Sequence, residues 1–90
     1  MRLLIVLNPV SGGDKKESFL EDAKKLCRKH DVEYNIFETK GEDDKERLRS
    51  EVDSYRPDRI ASVGGDGTIL LTAIVLNGSS CPMGIVPMGS

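Results

Sequence analysis

The sequence lacks several features that would point to particular protein classes. It has no tryptophan, and it contains only two tyrosines, two phenylalanines and two cysteines. Cys27 and Cys81 lie far apart without a Cys-x-x-Cys spacing, which argues against a zinc site and against a dense disulfide framework. We interpret both as reduced, buried thiols, as expected of a cytoplasmic protein.

Long hydrophobic runs and an excess of one charge are also missing. The longest apolar stretch, Ile69 to Leu76, is interrupted and too short to span a bilayer. The apolar residues after Met1 are not followed by a signal-peptide cleavage site. With 13 basic and 15 acidic side chains in 90 residues, the formal net charge is −2, which argues against nucleic acid held by bulk charge and against a polybasic membrane anchor. A chain of this length forms one domain at most.

Apolar runs and helical patterns alternate along the chain. Leu3 to Leu7 is apolar throughout, as in a strand buried on both faces of a parallel sheet. Further strands are predicted at residues 32–37, 59–63 and 83–86, the first of them near a sheet edge, with helices from Asp14, from the acidic residues 42–44 and over 68–76. This order predicts an α/β fold, a Rossmann-like three-layer domain with a mainly parallel sheet and ligand sites at the carboxyl ends of its strands.

The first predicted helix is amphipathic. Phe19, Ala23 and Leu26 are spaced along one side of it, and a group of basic residues lies on the other side. We expect the apolar side to cover the sheet and the basic side to be solvated.

Three glycine-containing loops each follow a predicted strand, at residues 8–13, 64–68 and 87–90. The loop from Gly64 to Thr68 combines glycines that let a ligand approach the backbone, amides at a helix N-terminus and a hydroxyl, which are the features of a polyphosphate site. Asp66 would repel phosphate unless it met a cation or a hydroxyl, so it indicates bound Mg²⁺ or proton acceptance. The alternative is a tight turn in which Asp66 only caps the helix.

Three motifs occur in an informative order: Asn8-Pro9-Val10-Ser11-Gly12, then Gly-Gly-Asp-Gly-Thr, then the segment from Gly84 to Ser90. Together they resemble the diacylglycerol kinase catalytic-domain family, which includes sphingosine kinases and bacterial lipid kinases. The resemblance covers all 90 residues and implies transfer of the ATP γ-phosphate to a lipid hydroxyl. It also implies that residues 1–90 are an N-terminal ATP-binding α/β domain of the NAD kinase/diacylglycerol kinase-like fold, incomplete at the C-terminus, with the family's C-terminal β-rich domain absent.

The resemblance also assigns site residues. Asp66 becomes the catalytic carboxylate and the candidate Mg²⁺ ligand, directly or through water. Ser90 stands where the family usually has threonine, and either hydroxyl can contact a phosphate. Leu70 and Leu71 replace polar residues of many relatives, which leaves specificity open. The expected ATP contacts are Asn8, Ser11, Gly12, Thr39, Gly64, Gly65, Asp66, Gly67, Thr68, Ile69, Leu70 and Ser90.

Two other functions stay open at this point. An NAD kinase shares the glycine-aspartate-glycine signature and a comparable continuation at Leu70 to Ala73, although the Asn8 to Gly12 motif and the ending at Ser90 favour a lipid kinase. A non-catalytic nucleotide-binding module is the second alternative. A lipid kinase implies ATP and a lipid acceptor as partners, a cytoplasmic protein and transient contact with membrane surfaces. We also expect self-association of the isolated chain, because its third helix is strongly apolar.

Overall fold

The computed structural model describes residues 1–8, 13–64, 66–77 and 83–87, and within them the side chains of residues 13–16, 66 and 83–87 are not described. Strands and helices alternate strictly along the chain, as predicted. The elements are β1 (Arg2–Leu7), α1 (Gly13–Lys29), β2 (Glu33–Glu38), α2 (Asp44–Tyr55), β3 (Arg59–Gly64), α3 (Asp66–Leu76) and β4 (Met83–Pro87).

The four strands form one parallel sheet in the order β2-β1-β3-β4. Consecutive parallel strands require a crossover connection, and each of the three helices supplies one, with α2 leading from β2 past β1 to β3. β1 is central, which explains its continuous apolar run, and the more polar β2 lies at an edge, as its alternating sequence indicates. The predicted α/β fold with a mainly parallel sheet is confirmed.

Helices cover both faces of the sheet, which makes the three layers. On one face, Leu4 and Val6 of β1 pack in a buried cluster with residues of α2 and α3, including Leu48 and Leu76. Alternate residues of β1, Ile5 and Leu7, point to the other face, where residues of α1 pack against them. Alternation along a strand therefore places two separate apolar clusters on either side of the central strand.

The sheet-facing side of α1 differs from the prediction in one respect. Phe19 and Ala23 pack against the core and Cys27 is buried, as expected, but Leu26, which was expected on the same side, is 57% exposed. At about 100° per residue, Ala23 and Cys27 lie near the middle of the packed side and Leu26 lies at its margin, so only Leu26 is left facing solvent. Cys27 is a free thiol, as predicted, whereas Cys81 and the strand-to-helix segment 9–12 lie outside the described residues.

The third helix begins at Asp66, two residues before its predicted start at Thr68. An acidic residue in the first turn of a helix interacts favourably with the helix dipole, which offsets the poor helix propensity of Gly67. On its outer side, Leu70 and Ile74 are 61% and 43% exposed. In the part of the chain that the structure describes, no helix is both long enough and apolar enough to cross a bilayer.

Candidate functional site

The carboxyl ends of three neighbouring strands carry three of the predicted ATP-binding residues. Leu7 is paired with Glu38 on one side and with Val63 on the other, so the next residues, Asn8, Thr39 and Gly64, form a row across the sheet. Two backbone hydrogen bonds hold this row, from the Asn8 amide to the Val63 carbonyl at 3.2 Å and from the Thr39 amide to the Leu7 carbonyl at 2.9 Å.

Gly64 allows two of the predicted site residues to meet. A Cβ atom at this position would lie 2.8 Å from Thr68 Oγ1, 3.1 Å from Thr68 Cβ and 3.3 Å from Asn8 Cβ. Its φ of 155° is also one that residues with a side chain rarely adopt. Because the Cβ is missing, Asn8 and Thr68 both pack directly against the Gly64 backbone. Glycine is therefore required here by space as well as by backbone conformation.

A buried pair of hydroxyls fixes α3 against β3. Thr72 Oγ1 lies 2.8 Å from the Thr68 carbonyl oxygen and 3.3 Å from Ser62 Oγ, and both Ser62 and Thr72 are fully buried. A hydroxyl has a single proton, so Thr72 donates to the Thr68 carbonyl and its oxygen accepts from Ser62. This contact holds the first turn of α3, with the buried Thr68, close to the end of β3.

The first turn of α3 supplies amides suited to an anion. The helix begins at Asp66, and the first four amides of an α-helix have no acceptor within the helix and carry a partial positive charge. Gly67 is exposed, and among the described residues beyond its own chain neighbours and helix backbone, no atom lies within 4 Å of the position that its Cβ would occupy. A phosphate group could therefore approach the Gly67 backbone without meeting any of the side chains that the structure describes.

The segment after β2 is fastened by an ion pair at the start of α2. The Asp44 carboxylate accepts hydrogen bonds from the amides of Lys40 at 2.8 Å and Gly41 at 2.9 Å, and from Arg47 Nη1 at 2.9 Å. Arg47 Nη2 also donates to the Glu38 carbonyl at 3.4 Å. Thr39, the predicted ATP contact on this strand, lies between the two backbone positions that the ion pair holds.

The environment of Asp44 shifts its acidity. Burial acts to raise the pKa of Asp44, but the amides of Lys40 and Gly41 and the Arg47 guanidinium favour the charged form more strongly, so the pKa lies below its ordinary value of 3.8. The ionised carboxylate thus contributes stability that is fully present above pH 3.8 and is lost as the pH falls through the lowered folded-state pKa.

This shift predicts a pH-dependent effect of Asp44→Asn on stability. The free energy of unfolding of the variant should fall below that of the original chain by an amount that is constant from neutral pH down to about pH 5 and shrinks on further acidification. Urea denaturation at a series of pH values measures the difference. A gap that stays the same at pH 2.5 would show that the ionised carboxylate is not what stabilises this segment.

The predicted site residues divide into two groups. The structure brings Asn8, Gly64 and Thr68 into contact range, places Thr39 in the same row and puts Gly67 and the half-buried Ile69 at the start of α3. Leu70 follows with its side chain exposed. The predicted residues Ser11, Gly12, Gly65 and Ser90 lie outside the described part of the chain, as does the side chain of Asp66.

Two side-chain pairs near the carboxyl end of the sheet were not predicted from the sequence. The hydroxyl pair of Ser62 and Thr72 occurs within apolar runs, where its only signal was the interruption of hydrophobicity at each residue. Asp44 and Arg47 form an acid-base pair at a spacing of i and i+3, which is common on solvated helices. Neither pattern indicates by itself that the residues hold a loop.

A magnesium site was predicted at Asp66. Among the described side chains, no group of three or more His, Cys, Asp or Glu residues is placed to hold a metal ion. Magnesium often binds through only one or two carboxylates together with phosphate oxygens and waters, and the amides of the first turn of α3 provide a place for such phosphates. A single carboxylate at Asp66 therefore fits the chemistry of this ion, and its role as a ligand stays a prediction.

Comparison with known protein families gives a match along nearly the whole chain. Residues 2–90 match the family model described as diacylglycerol kinase catalytic domain. Sphingosine kinase 2 of Arabidopsis thaliana is 31% identical over 97 residues, an alignment that covers 99% of this chain and 20% of the plant protein.

Solved structures share the fold. The crystal structure of a diacylglycerol kinase from Bacillus anthracis str. Sterne has a TM-score of 0.70 and 31% identity, covering 98% of this chain and 33% of the bacterial one. Another crystal structure from the same bacterium gives 0.71 and 30%, covering 99% and 32%. The chain thus spans about a fifth of the plant relative and about a third of the bacterial chains. Its match over residues 2–90 shows that it belongs to the diacylglycerol kinase catalytic domain family.

Proposed function

We propose that this chain binds ATP and forms the nucleotide-binding part of a lipid kinase. The observation that carries the proposal is the packing of Asn8 and Thr68 against the backbone of Gly64, just before α3 begins. Because Gly64 has no side chain, the first turn of α3, with its free amides and Thr68, can lie close to the carboxyl end of the sheet. Proteins of the α/β class bind their ligands at that end. Residues 1–90 would then be the N-terminal ATP-binding domain of the enzyme.

The reaction is transfer of the γ-phosphoryl group of ATP to a lipid hydroxyl. The bond between the γ-phosphorus and its bridging oxygen breaks, a bond to the lipid oxygen forms, and the hydroxyl proton leaves to a base, giving ADP and a phosphorylated lipid. Such a transfer depends on positioning and on neutralisation of charge more than on covalent help from the protein. Amides at the start of α3 would orient the phosphates, and bound Mg²⁺, held by Asp66, would neutralise their charge.

The remaining predicted contacts complete this proposal. Asn8 and Thr39 would contact ATP from the ends of β1 and β2, Ser11 and Gly12 from the loop after β1, and Ser90 from the loop after β4. The acceptor is a lipid such as a diacylglycerol or a sphingoid base, taken from a membrane surface by a cytoplasmic protein. Membership of the diacylglycerol kinase catalytic domain family supports a lipid over NAD as the acceptor.

A substitution at Gly67 tests the proposed phosphate site. Gly67→Ala should raise the free energy of unfolding by about 0.5–1 kcal/mol, because alanine is the better helix former and its Cβ would clash with none of the described side chains. The same methyl group should weaken ATP binding, because it lies where the phosphates would approach the amides. Thermal unfolding and an ATP titration on the same samples measure both effects.

In Gly67→Ala, stability should therefore rise while the affinity for ATP falls. A variant that is more stable and binds ATP less tightly supports a phosphate site at this turn. A variant that is more stable and binds ATP with unchanged affinity would place the nucleotide elsewhere. The lipid part of the proposal is tested by offering the full-length protein a diacylglycerol, a sphingoid base and NAD as acceptors, and phosphorylation of NAD alone would contradict it.

A further inference from the structure

The ion pair between Asp44 and Arg47 holds the backbone on both sides of Thr39. Arg47 donates to the carbonyl of Glu38, the residue before Thr39, at 3.4 Å. Asp44 accepts from the amide of Lys40, the residue after Thr39, at 2.8 Å, and from Gly41. On the side of the sheet, the Thr39 amide donates to the Leu7 carbonyl. Thr39 is therefore the centre of a backbone segment fixed from two directions.

The contacts of Asp44 are not those of an ordinary helix cap. A capping side chain accepts from amides of the first turn of its own helix, whereas Asp44 accepts from two amides that precede α2. The N-cap position itself is taken by Asp43, whose side chain makes no capping hydrogen bond. The carboxylate of Asp44 is thus used to hold the loop after β2.

Arg47 is itself well anchored. Its guanidinium lies 4.8 Å from the centre of the Phe37 ring, and Phe37 is buried in the core on the face of α2 and α3. Stacking on an aromatic ring restricts the orientation of a guanidinium, and its planar fork can then serve two acceptors at once. The acceptors here are Asp44 Oδ1 and the Glu38 carbonyl, so the ion pair transmits the rigidity of the core to the loop.

We infer that Asp44, supported by Arg47, is a positioning residue for the nucleotide, because it holds Thr39 in the row with Asn8 and Gly64 at the carboxyl edge of the sheet. This inference rests on the proposed binding of ATP. A preorganised contact spares the ligand the cost of ordering the loop. Loss of the Asp44 carboxylate, whose oxygens accept from Lys40, Gly41 and Arg47, should therefore weaken ATP binding through the backbone around Thr39.

The test compares Asp44→Asn with Asp43→Asn, which removes the same charge one residue earlier, where no capping bond is made. We expect Asp44→Asn to weaken ATP binding about tenfold, the effect of losing roughly one hydrogen bond to a charged group, and Asp43→Asn to leave it unchanged. In the full-length enzyme, the KM for ATP should rise while the KM for the lipid stays the same. All measurements are made where both variants are fully folded.

Amide hydrogen exchange supplies a readout that does not depend on the nucleotide. In Asp44→Asn without ATP, exchange should accelerate at Lys40 and Gly41 and stay unchanged in β1 and β3. Uniform acceleration would indicate a general loss of stability and would contradict a positioning role. If Asp44→Asn does not fold, Arg47→Lys serves instead, since it keeps the charge but loses the fork that reaches two acceptors.

The outcomes separate this inference from the proposed function. If the original chain does not bind ATP, the proposed function fails and the inference fails with it. If the original chain binds ATP and Thr39→Val weakens that binding, but Asp44→Asn binds as tightly as Asp43→Asn, only the inference is overturned. Weak binding confined to Asp44→Asn and Thr39→Val, with fast exchange confined to the loop, supports both.

Discussion

Asp66→Asn should lower phosphoryl transfer by the full-length protein by about a hundredfold to a thousandfold, the loss that follows removal of one group stabilising a transition state. The variant keeps the size of the side chain but cannot hold Mg²⁺ as a carboxylate or accept a proton. Asparagine is well tolerated where a helix begins, so the fold should persist. Transfer of radiolabelled phosphate from ATP to lipid measures the activity, and circular dichroism checks the fold.

Asp53→Asn is a matched control for Asp66→Asn. Asp53 is an exposed residue in the last turn of α2, which leads to the start of β3 rather than to its carboxyl end, and its substitution removes the same charge. Full activity of this control together with loss of activity in Asp66→Asn would assign the effect to the site. If Asp66→Asn kept most of its activity, the central electrostatic role would belong to another group.

Gly64→Val should both destabilise the chain and prevent ATP binding. The new Cβ would lie 2.8 Å from Thr68 Oγ1 and 3.1 Å from Thr68 Cβ, and because Thr68 is buried, its neighbours must shift to make room. Overpacking costs about 1–3 kcal/mol, and a strained backbone conformation adds about 1–3 kcal/mol. Urea denaturation should therefore show a loss of about 2–6 kcal/mol, a large part of the stability of a small domain.

Two further variants separate space from backbone strain at Gly64. Gly41 also has a positive φ of 86°, but a Cβ there would meet none of the described residues within 4 Å, so Gly41→Ala measures backbone strain alone and should cost less. In a Thr68→Ala background the nearest clashing atom is gone, and the penalty of Gly64→Val should shrink. If Gly64→Val lowered the free energy of unfolding equally in both backgrounds, a clash with the Thr68 side chain would not be the cause of the loss.

The amino-acid sequence was sufficient to predict the order of strands and helices and the mainly parallel sheet that they form. The reason is that each element has a strong local signal, such as the apolar run of β1 or the breaks at Gly41 and Pro57. The start of α3 was placed too late because Gly67 resembles a loop residue, although the helix includes it. An acidic residue at position 66 favours the start of a helix and a glycine at position 67 disfavours it, and residue preferences alone do not show which effect is larger.

Several contacts that shape the candidate site could not be predicted from the sequence. Thr39 could be predicted as a site residue only through the family resemblance, and nothing near it indicated that Asp44 and Arg47 would hold its neighbours. The close packing of Asn8 against Gly64 likewise depends on the pairing of β1 with β3. Such contacts require the three-dimensional register of the strands, which periodicity does not supply.

The central position of β1 has a consequence for the synthesis of the protein on the ribosome. β1 is synthesised before either of its neighbours, yet its pairing with β3, from Leu3 with Arg59 to Leu7 with Val63, must wait until most of this chain has left the exit tunnel. Until then an apolar strand that is buried in the native state has no partner on that side. Its exposure during translation makes the nascent chain a natural client for chaperones that shield hydrophobic segments.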